Sequence, residues 1–192
     1  MRQFRNLTIK QKGQSLIEML AAVTMFAITI GAISGLFISG IRSQRRVLAT
    51  QELLDQTSYV LEYTGRALRM AKKELSSPPA CLTVCGRGCN YELTTNGIKF
   101  IDYRNVCTEF FLDTVNHQLE KTAEGTTLPL TSSKLQVNSL RINLSGEVQP
   151  TADYLQPRVT IFLEIEGRET GIGRPKIQIQ TSTSQRDLDV TY

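Results

Sequence analysis

The chain has 192 residues, 41% of them hydrophobic, which is enough for one domain with a buried core and one further element. Its net charge of +4 is unevenly distributed, because residues 1–13 hold four basic side chains and no acid. The rest of the chain holds 18 basic and 18 acidic side chains. The basic balance therefore belongs to the N-terminal segment alone. It does not indicate a nucleic-acid-binding body, and no basic patch with interleaved aromatic residues is present.

The basic N-terminal segment leads into a long apolar run. Glu18 is the one acid near its start, and residues 19–41 contain no charged side chain. A helix over these residues would span roughly 35 Å, enough to cross a bilayer core. A secretory signal peptide has a shorter apolar region followed by a small-residue cleavage site, a pattern that this run lacks. We therefore predict a retained membrane-spanning helix whose basic flank lies on the cytoplasmic side.

Helical periodicity continues beyond the apolar run. Five apolar residues recur at intervals of seven, and three more lie beside them on the same helical face. They are Val47, Leu54, Leu61, Leu68 and Leu75, with Leu53, Val60 and Ala67 beside them. Pro78 and Pro79 are incompatible with further helix. We predict one helix from residue 14 to about residue 76, apolar all round over 14–42 and amphipathic over 43–76.

The remaining residues, 77–192, are predicted to form an exported antiparallel β domain. A hairpin is expected over residues 91–103 around Asn96–Gly97, a strong turn signal. Residues 107–113 and 117–121 predict a second hairpin. Three longer strands are predicted within 135–144, 157–167 and 175–184. The predicted fold class is α+β, with the long N-terminal helix packed on one apolar face of an antiparallel sheet.

The N-terminal arrangement resembles the type IV prepilin signal: a short basic leader, Gly13, an acid at the fifth position after it, Glu18, and then the apolar run. Type IV pilins, the pseudopilins of type II secretion and the competence pseudopilins share this signal. The resemblance covers residues 8–42 and implies a long helix packed on an antiparallel sheet. Two departures stand out. Gln14 replaces the usual phenylalanine or methionine, and Gly35 lies near a position where many major pilins have proline.

The resemblance implies processing followed by assembly. Prepilin peptidase would cut between Gly13 and Gln14, and the new amino group of Gln14 would be methylated. The mature chain would join copies of itself, or other pilins or pseudopilins, through the inner-membrane assembly machinery. The product would be a type IV pilus or a type II secretion pseudopilus. Before assembly the protein would be a single-pass inner-membrane protein with an exported C-terminal domain; afterwards it would be part of a cell-surface or periplasmic filament.

A physical reason for Glu18 follows from that processing. An isolated carboxylate inside a bilayer costs several kcal/mol and usually has a partner. Cleavage frees an α-amine at Gln14, whose ordinary pKa of about 8 makes it largely cationic. We expect Glu18 of one subunit to pair with this amine of a neighbour. The alternative is a carboxylate that reaches the membrane interface.

Four cysteines lie on the predicted exported side: Cys81, Cys85, Cys89 and Cys107. An even number in an exported domain favours disulfides, and the spacing does not match the usual zinc pairs. A thiolate metal site and free thiols are the alternatives. Extending the predicted hairpin register places residue 86 opposite Cys107. Cys107 is therefore expected to bond Cys85 or Cys89, with Cys81 taking the other.

The sequence offers no residue set for catalysis, a resident metal or a cofactor. His117 is the only histidine and falls in a predicted turn, and Glu164 and Glu166 share a predicted solvated strand face. We expect no catalytic activity. The alternative function is a single-pass membrane-anchored binding domain that does not polymerise. Such a protein would need neither cleavage after Gly13 nor an acid at Glu18.

Overall fold

The computed structural model describes residues 13, 15–146, 155–168 and 174–186. Residues 1–12 and Gln14 lie outside the described residues. The chain divides into two compact units, residues 1–44 and 45–192. Within the described ranges, one long helix precedes eight strands. They are α1 (Leu16–Arg69), β1 (Tyr91–Thr94), β2 (Gly97–Ile101), β3 (Cys107–Asp113), β4 (Gln118–Ala123), β5 (Thr126–Pro129), β6 (Leu135–Ser145), β7 (Arg158–Gly167) and β8 (Lys176–Ser184).

The helix α1 begins close to the predicted cleavage position. The carbonyl of Ser15 accepts the backbone N–H groups of Glu18 and Met19 at 3.0 and 3.2 Å, which closes the first turn. The helix then continues without interruption through Gly35. Among the described residues it is the one helix that is long and apolar enough to cross a membrane.

The later part of α1 buries a narrow stripe at helical spacing. Its members are Leu53, Thr57, Val60, Thr64, Gly65 and Leu68. The hydroxyls of Thr57 and Thr64 donate to the carbonyls of Leu53 and Val60 at 2.6 and 2.7 Å, so they are buried with a partner. The predicted sevenfold set was wrong in part, because Val47, Leu54 and Leu75 are exposed.

The helix ends at Arg69, before the predicted end near residue 76. The reason is that the backbone at the end of the helix and just after it forms hydrogen bonds with β1 and β2. The Tyr91 hydroxyl donates to the carbonyl of Leu68 at 2.7 Å. The N–H of Lys72 donates to the carbonyl of Ile101 at 2.9 Å, which forms an isolated antiparallel bridge beside β2.

The strands form two antiparallel sheets where one was expected. The first has the order β1-β2-β3-β4-β5 and the second the order β6-β7-β8. The α+β class, with a long N-terminal helix and antiparallel sheet, is confirmed, and the pattern is consistent with a pilin-like fold. The strand β5 was not predicted, because it has four residues and all of them are exposed.

The core of the unit 45–192 lies between the later part of α1 and both sheets. One cluster surrounds Leu68 and Phe100, and the other surrounds Val60 and Ile165. Each cluster combines residues of the helix with residues of the two sheets, so the helix stripe and the inner faces of both sheets cover one another.

The turn between β1 and β2 differs from the predicted one. Thr94 pairs with Gly97, so the turn residues are Thr95 and Asn96 and Gly97 belongs to β2. A Cβ at Gly97 would lie 2.7 Å from the Cα of Phe111 on β3. Glycine is needed there for the close approach of two strands and not for the turn.

Candidate functional site

The N-terminal part of α1 is an uncovered apolar surface. Every described residue from 15 to 48 is exposed, and no charge lies between Glu18 and Arg42. Large side chains such as Leu16 and Leu36 are 83% and 76% exposed. A surface of this kind is stable only when lipid or other protein covers it.

Gly13 and Glu18 are the two predicted site residues of the signal that the structure describes. A Cβ at Gly13 would meet nothing within 4 Å, so packing inside the chain does not require glycine at this position. Glu18 lies in the first turn of α1, where the helix dipole favours an acid. Its carboxylate has no ion pair among the described residues. The expected partner is the amine of Gln14 of a neighbouring subunit, and Gln14 lies outside the described residues.

All four cysteines form disulfides, but the expected pairing was wrong. Cys81 bonds Cys107, and Cys85 bonds Cys89. The first bond joins the loop that precedes β1 to the start of β3. The second closes a short loop before β1. Cys107 therefore pairs with Cys81 and not with Cys85 or Cys89.

The physical reason is a turn after β2 that the register argument did not include. The carboxylate of Asp102 accepts the backbone N–H groups of Arg104 and Val106 at 2.8 and 2.9 Å. This reverses the chain, so that Cys107 starts β3 opposite Ile101. Burial raises the pKa of Asp102, but these hydrogen bonds and the Arg104 guanidinium outweigh it and lower the pKa.

Two buried carboxylates hold the loop that carries three of the cysteines. Glu74 is 1% exposed and accepts the N–H groups of Ser76 and Cys81 at 2.9 and 2.8 Å. Glu92 accepts the N–H groups of Val84 and Cys85 at 2.8 and 3.1 Å. Burial raises the pKa of Glu74, but the backbone hydrogen bonds outweigh it and lower the pKa to about 2. These two roles were not anticipated from the sequence.

The other residues considered for chemistry are structural in their contacts. The carbonyl of His117 accepts the N–H of Val137 at 2.8 Å. Glu164 forms an ion pair with Lys176 at 2.7 Å on the outer face of the second sheet. Within residues 13, 15–146, 155–168 and 174–186, no group of three or more His, Cys, Asp and Glu residues could hold a metal ion.

The α+β fold is consistent with a pilin-like one, and α1 is long and apolar enough to cross a membrane. Residues 9–34 match the family model of the prokaryotic N-terminal methylation motif. The chain therefore carries a type IV prepilin-type signal, which points to a structural subunit and not to an enzyme. Comparison with curated proteins and with solved structures found no match.

Proposed function

We propose that this protein is a prepilin-like structural subunit, cut after Gly13 and methylated on the new amine of Gln14. It then assembles through α1 into a type IV pilus or a type II secretion pseudopilus. The observation that carries the proposal is the motif match over residues 9–34 on a helix whose described residues 15–48 are all exposed.

Burial of this surface supplies the driving force in two settings. Before assembly, lipid covers the apolar residues and the subunit is a single-pass inner-membrane protein with its C-terminal part exported. In the filament, the same surface packs against the helices of neighbouring subunits. Glu18 then meets the amine of Gln14 of a neighbour, because both charges lose water and each needs a partner. The pair sets the register of the subunits.

The remainder of the chain serves display and stability. We divide the protein into the leader 1–13, the membrane and assembly helix 14–42, and the amphipathic continuation from residue 43, which ends at Arg69. The exported β domain, which we place at residues 77–192, follows the helix. Its two disulfides suit an exported compartment. Prepilin peptidase and the inner-membrane assembly machinery are the partners that this route requires.

The first step of the proposal is tested by co-expressing the full chain with a prepilin peptidase and determining the N-terminus. Wild type is expected to be cut after Gly13, and Gly13→Leu is expected to stay full length. Gly31→Leu is the matched control, since a Cβ at Gly31 also meets nothing within 4 Å. A wild-type chain that stays uncut would favour an anchored binding domain that does not polymerise.

A further inference from the structure

The outer face of the sheet β6-β7-β8 carries a shallow cleft of about 790 Å³ that is open to solvent. The strand register places Arg141, Phe162 and Gln180 directly opposite one another across the three strands. Directly opposite residues in adjacent strands point to the same face of a sheet. All three side chains line the cleft, and the ring of Phe162 lies between the side chains of Arg141 and Gln180.

Phe162 is the one apolar residue on the outward face of β7. Its neighbours Ile161 and Leu163 point into the core and are 6% and 3% exposed, whereas Phe162 points outward and is 41% exposed. The outward positions on either side of it, Thr160 and Glu164, are polar. An exposed aromatic ring offers a flat apolar platform on which a ring of a ligand can stack.

The polar groups around the ring are available to a ligand. Among the described residues, the side chains of Arg141, Asn143 and Gln180 have no hydrogen bond or ion pair. By contrast, Thr160 and Ser182 on the same face bond each other at 2.8 Å. The cleft thus offers a guanidinium group and two amides, which together supply several donors and two acceptors.

Arg141 and Glu164 are the charged residues that line the cleft. The carboxylate of Glu164 is paired with Lys176 at 2.7 Å, and that of Glu166, farther along the same face, with Arg174 at 3.8 Å. With both carboxylates paired, the charge that Arg141 adds favours an acidic ligand. Arg141 on this face has no acidic partner in the described part of the chain, and its planar guanidinium is suited to bidentate binding of a carboxylate.

We propose that this cleft binds an acidic oligosaccharide, a pyranose chain that carries carboxylates. The apolar C–H face of one sugar ring lies on Phe162, a carboxylate of the chain pairs with Arg141, and the amides of Asn143 and Gln180 bond the hydroxyls. A small anion would leave the ring of Phe162 unused, and a neutral glycan would leave Arg141 unpaired. This activity is independent of filament assembly.

The test uses the full chain in nanodiscs of phosphatidylcholine, with fluorescently labelled oligogalacturonate as the probe and a malto-oligosaccharide of equal length as the neutral comparison. Fluorescence polarisation measures the affinity. The wild type is expected to bind oligogalacturonate at least about tenfold more tightly than the neutral glycan, with an affinity that falls as salt rises. Equal affinity for the two glycans, or no binding of either, would overturn the proposal.

Three variants on the solvent face locate the site. Phe162→Ala should weaken oligogalacturonate binding by about tenfold, and Phe162→Trp should retain it, because stacking needs only an aromatic face. Arg141→Gln should weaken binding and reduce its salt dependence. Arg66→Gln on the exposed face of α1 is the matched control and should change nothing.

The same variants distinguish a competing role for the face. If Phe162→Ala leaves glycan affinity unchanged but reduces self-association of the nanodisc-embedded protein, the face is an interface between copies of the chain and the glycan site does not exist. If Arg66→Gln weakens binding as much as Arg141→Gln, the attraction is general to the protein surface and the assignment to the cleft is wrong.

Discussion

The carboxylate of Glu74 and the backbone N–H of Cys81 form a 2.8 Å hydrogen bond between residues seven apart in the sequence. The second oxygen of Glu74 accepts the N–H of Ser76 at 2.9 Å. The two bonds fold the segment between Glu74 and Cys81 back on itself. Cys81 is thereby held at the start of β3, where it bonds Cys107.

Glu74→Gln should destabilise the protein by about 1–3 kcal/mol, the cost of leaving a buried polar group without a partner. A glutamine has one acceptor oxygen, so its NH₂ group would face the N–H of either Ser76 or Cys81. Denaturant unfolding of the full chain in detergent measures the difference. Glu62→Gln on the exposed face of α1 is the control and should stay close to wild type.

The stabilisation from Glu74 should also depend on pH. Its pKa is lowered from 4.5 to about 2 in the folded chain, so the folded state favours the carboxylate. The contribution is fully present above pH 4.5 and is lost as the pH falls toward 2. The stability difference between wild type and Glu74→Gln should therefore shrink on acidification over this range. A difference that stays constant with pH would show that the charge of Glu74 has no part in folding.

The two disulfides should differ in their contribution to stability. Cys81–Cys107 spans 26 residues and Cys85–Cys89 spans 4. On the chain-entropy estimate, removing the first by a double alanine substitution costs about 3.5 kcal/mol and removing the second costs about 2 kcal/mol. The unfolding free energies of the two double variants are the measurement. Peptide mapping without reductant that joins Cys107 to Cys85 or Cys89 would contradict the pairing itself.

The same substitution should have opposite effects at two glycines. At Gly97 a Cβ would lie 2.7 Å from the Cα of Phe111. Gly97→Ala should therefore lower the free energy of unfolding by about 1–3 kcal/mol. At Gly65 a Cβ would lie 3.4 Å from the Oγ1 of Thr183, an ordinary contact. Gly65→Ala should therefore stabilise the helix by up to about 1 kcal/mol. Thermal unfolding of both variants decides this. Stabilisation by Gly97→Ala would refute the close approach of β2 and β3.

Glu18→Ala should impair assembly while membrane insertion and at least part of the cleavage survive. Membrane insertion should survive because the apolar run is unchanged, and cleavage should survive in part because the peptidase recognises Gly13. Assembly should suffer because the amine of Gln14 loses its partner in the core of the filament. Breaking such a buried pair costs about 3–5 kcal/mol. Glu18→Gln should be intermediate, because it keeps hydrogen bonds without charge.

The measurement for Glu18 compares the membrane-bound, processed and filament-incorporated fractions of each variant. Glu62→Ala, which removes an exposed acid from the same helix, is the control and should assemble normally. Normal incorporation of Glu18→Ala would mean that the acid lies at the interface without a role in assembly.

The longer strands could be predicted because burial of one sheet face imposes an alternation of apolar and polar residues along each strand. Val159, Ile161, Leu163 and Ile165 alternate along β7, and all four are buried. The helix stripe was harder to predict because Thr57 and Thr64 count as polar in a sequence. They are buried because each hydroxyl bonds a carbonyl one turn earlier, which only a folded helix provides.

The candidate site also has parts that could be predicted from the sequence and parts that could not. The prepilin-type signal over residues 9–34 could be recognised because it is local, with a fixed spacing and an apolar run after it, while the roles of Gly13 and Glu18 within it stay predictions. The predicted disulfide pairing was wrong because the pairing depends on the turn at Asp102, which the sequence does not indicate. The turn signal at Asn96–Gly97 was misleading as well, because Gly97 lies in β2, where its lack of a side chain allows the close approach of β3. Phe162 and Glu74 gave no signal, because a phenylalanine in a strand and an acid in a polar loop are ordinary until their neighbours are known.

Processing and entry into a filament are what separate the proposed subunit from an anchored binding domain. The most direct test of both is mass spectrometry of the protein in filaments sheared from the native host. We expect a chain that begins at Gln14, carries one methyl group on its amine, and is present in the filament fraction. A chain that retains residues 1–13, or one that is confined to the membrane and never enters a filament, would contradict it.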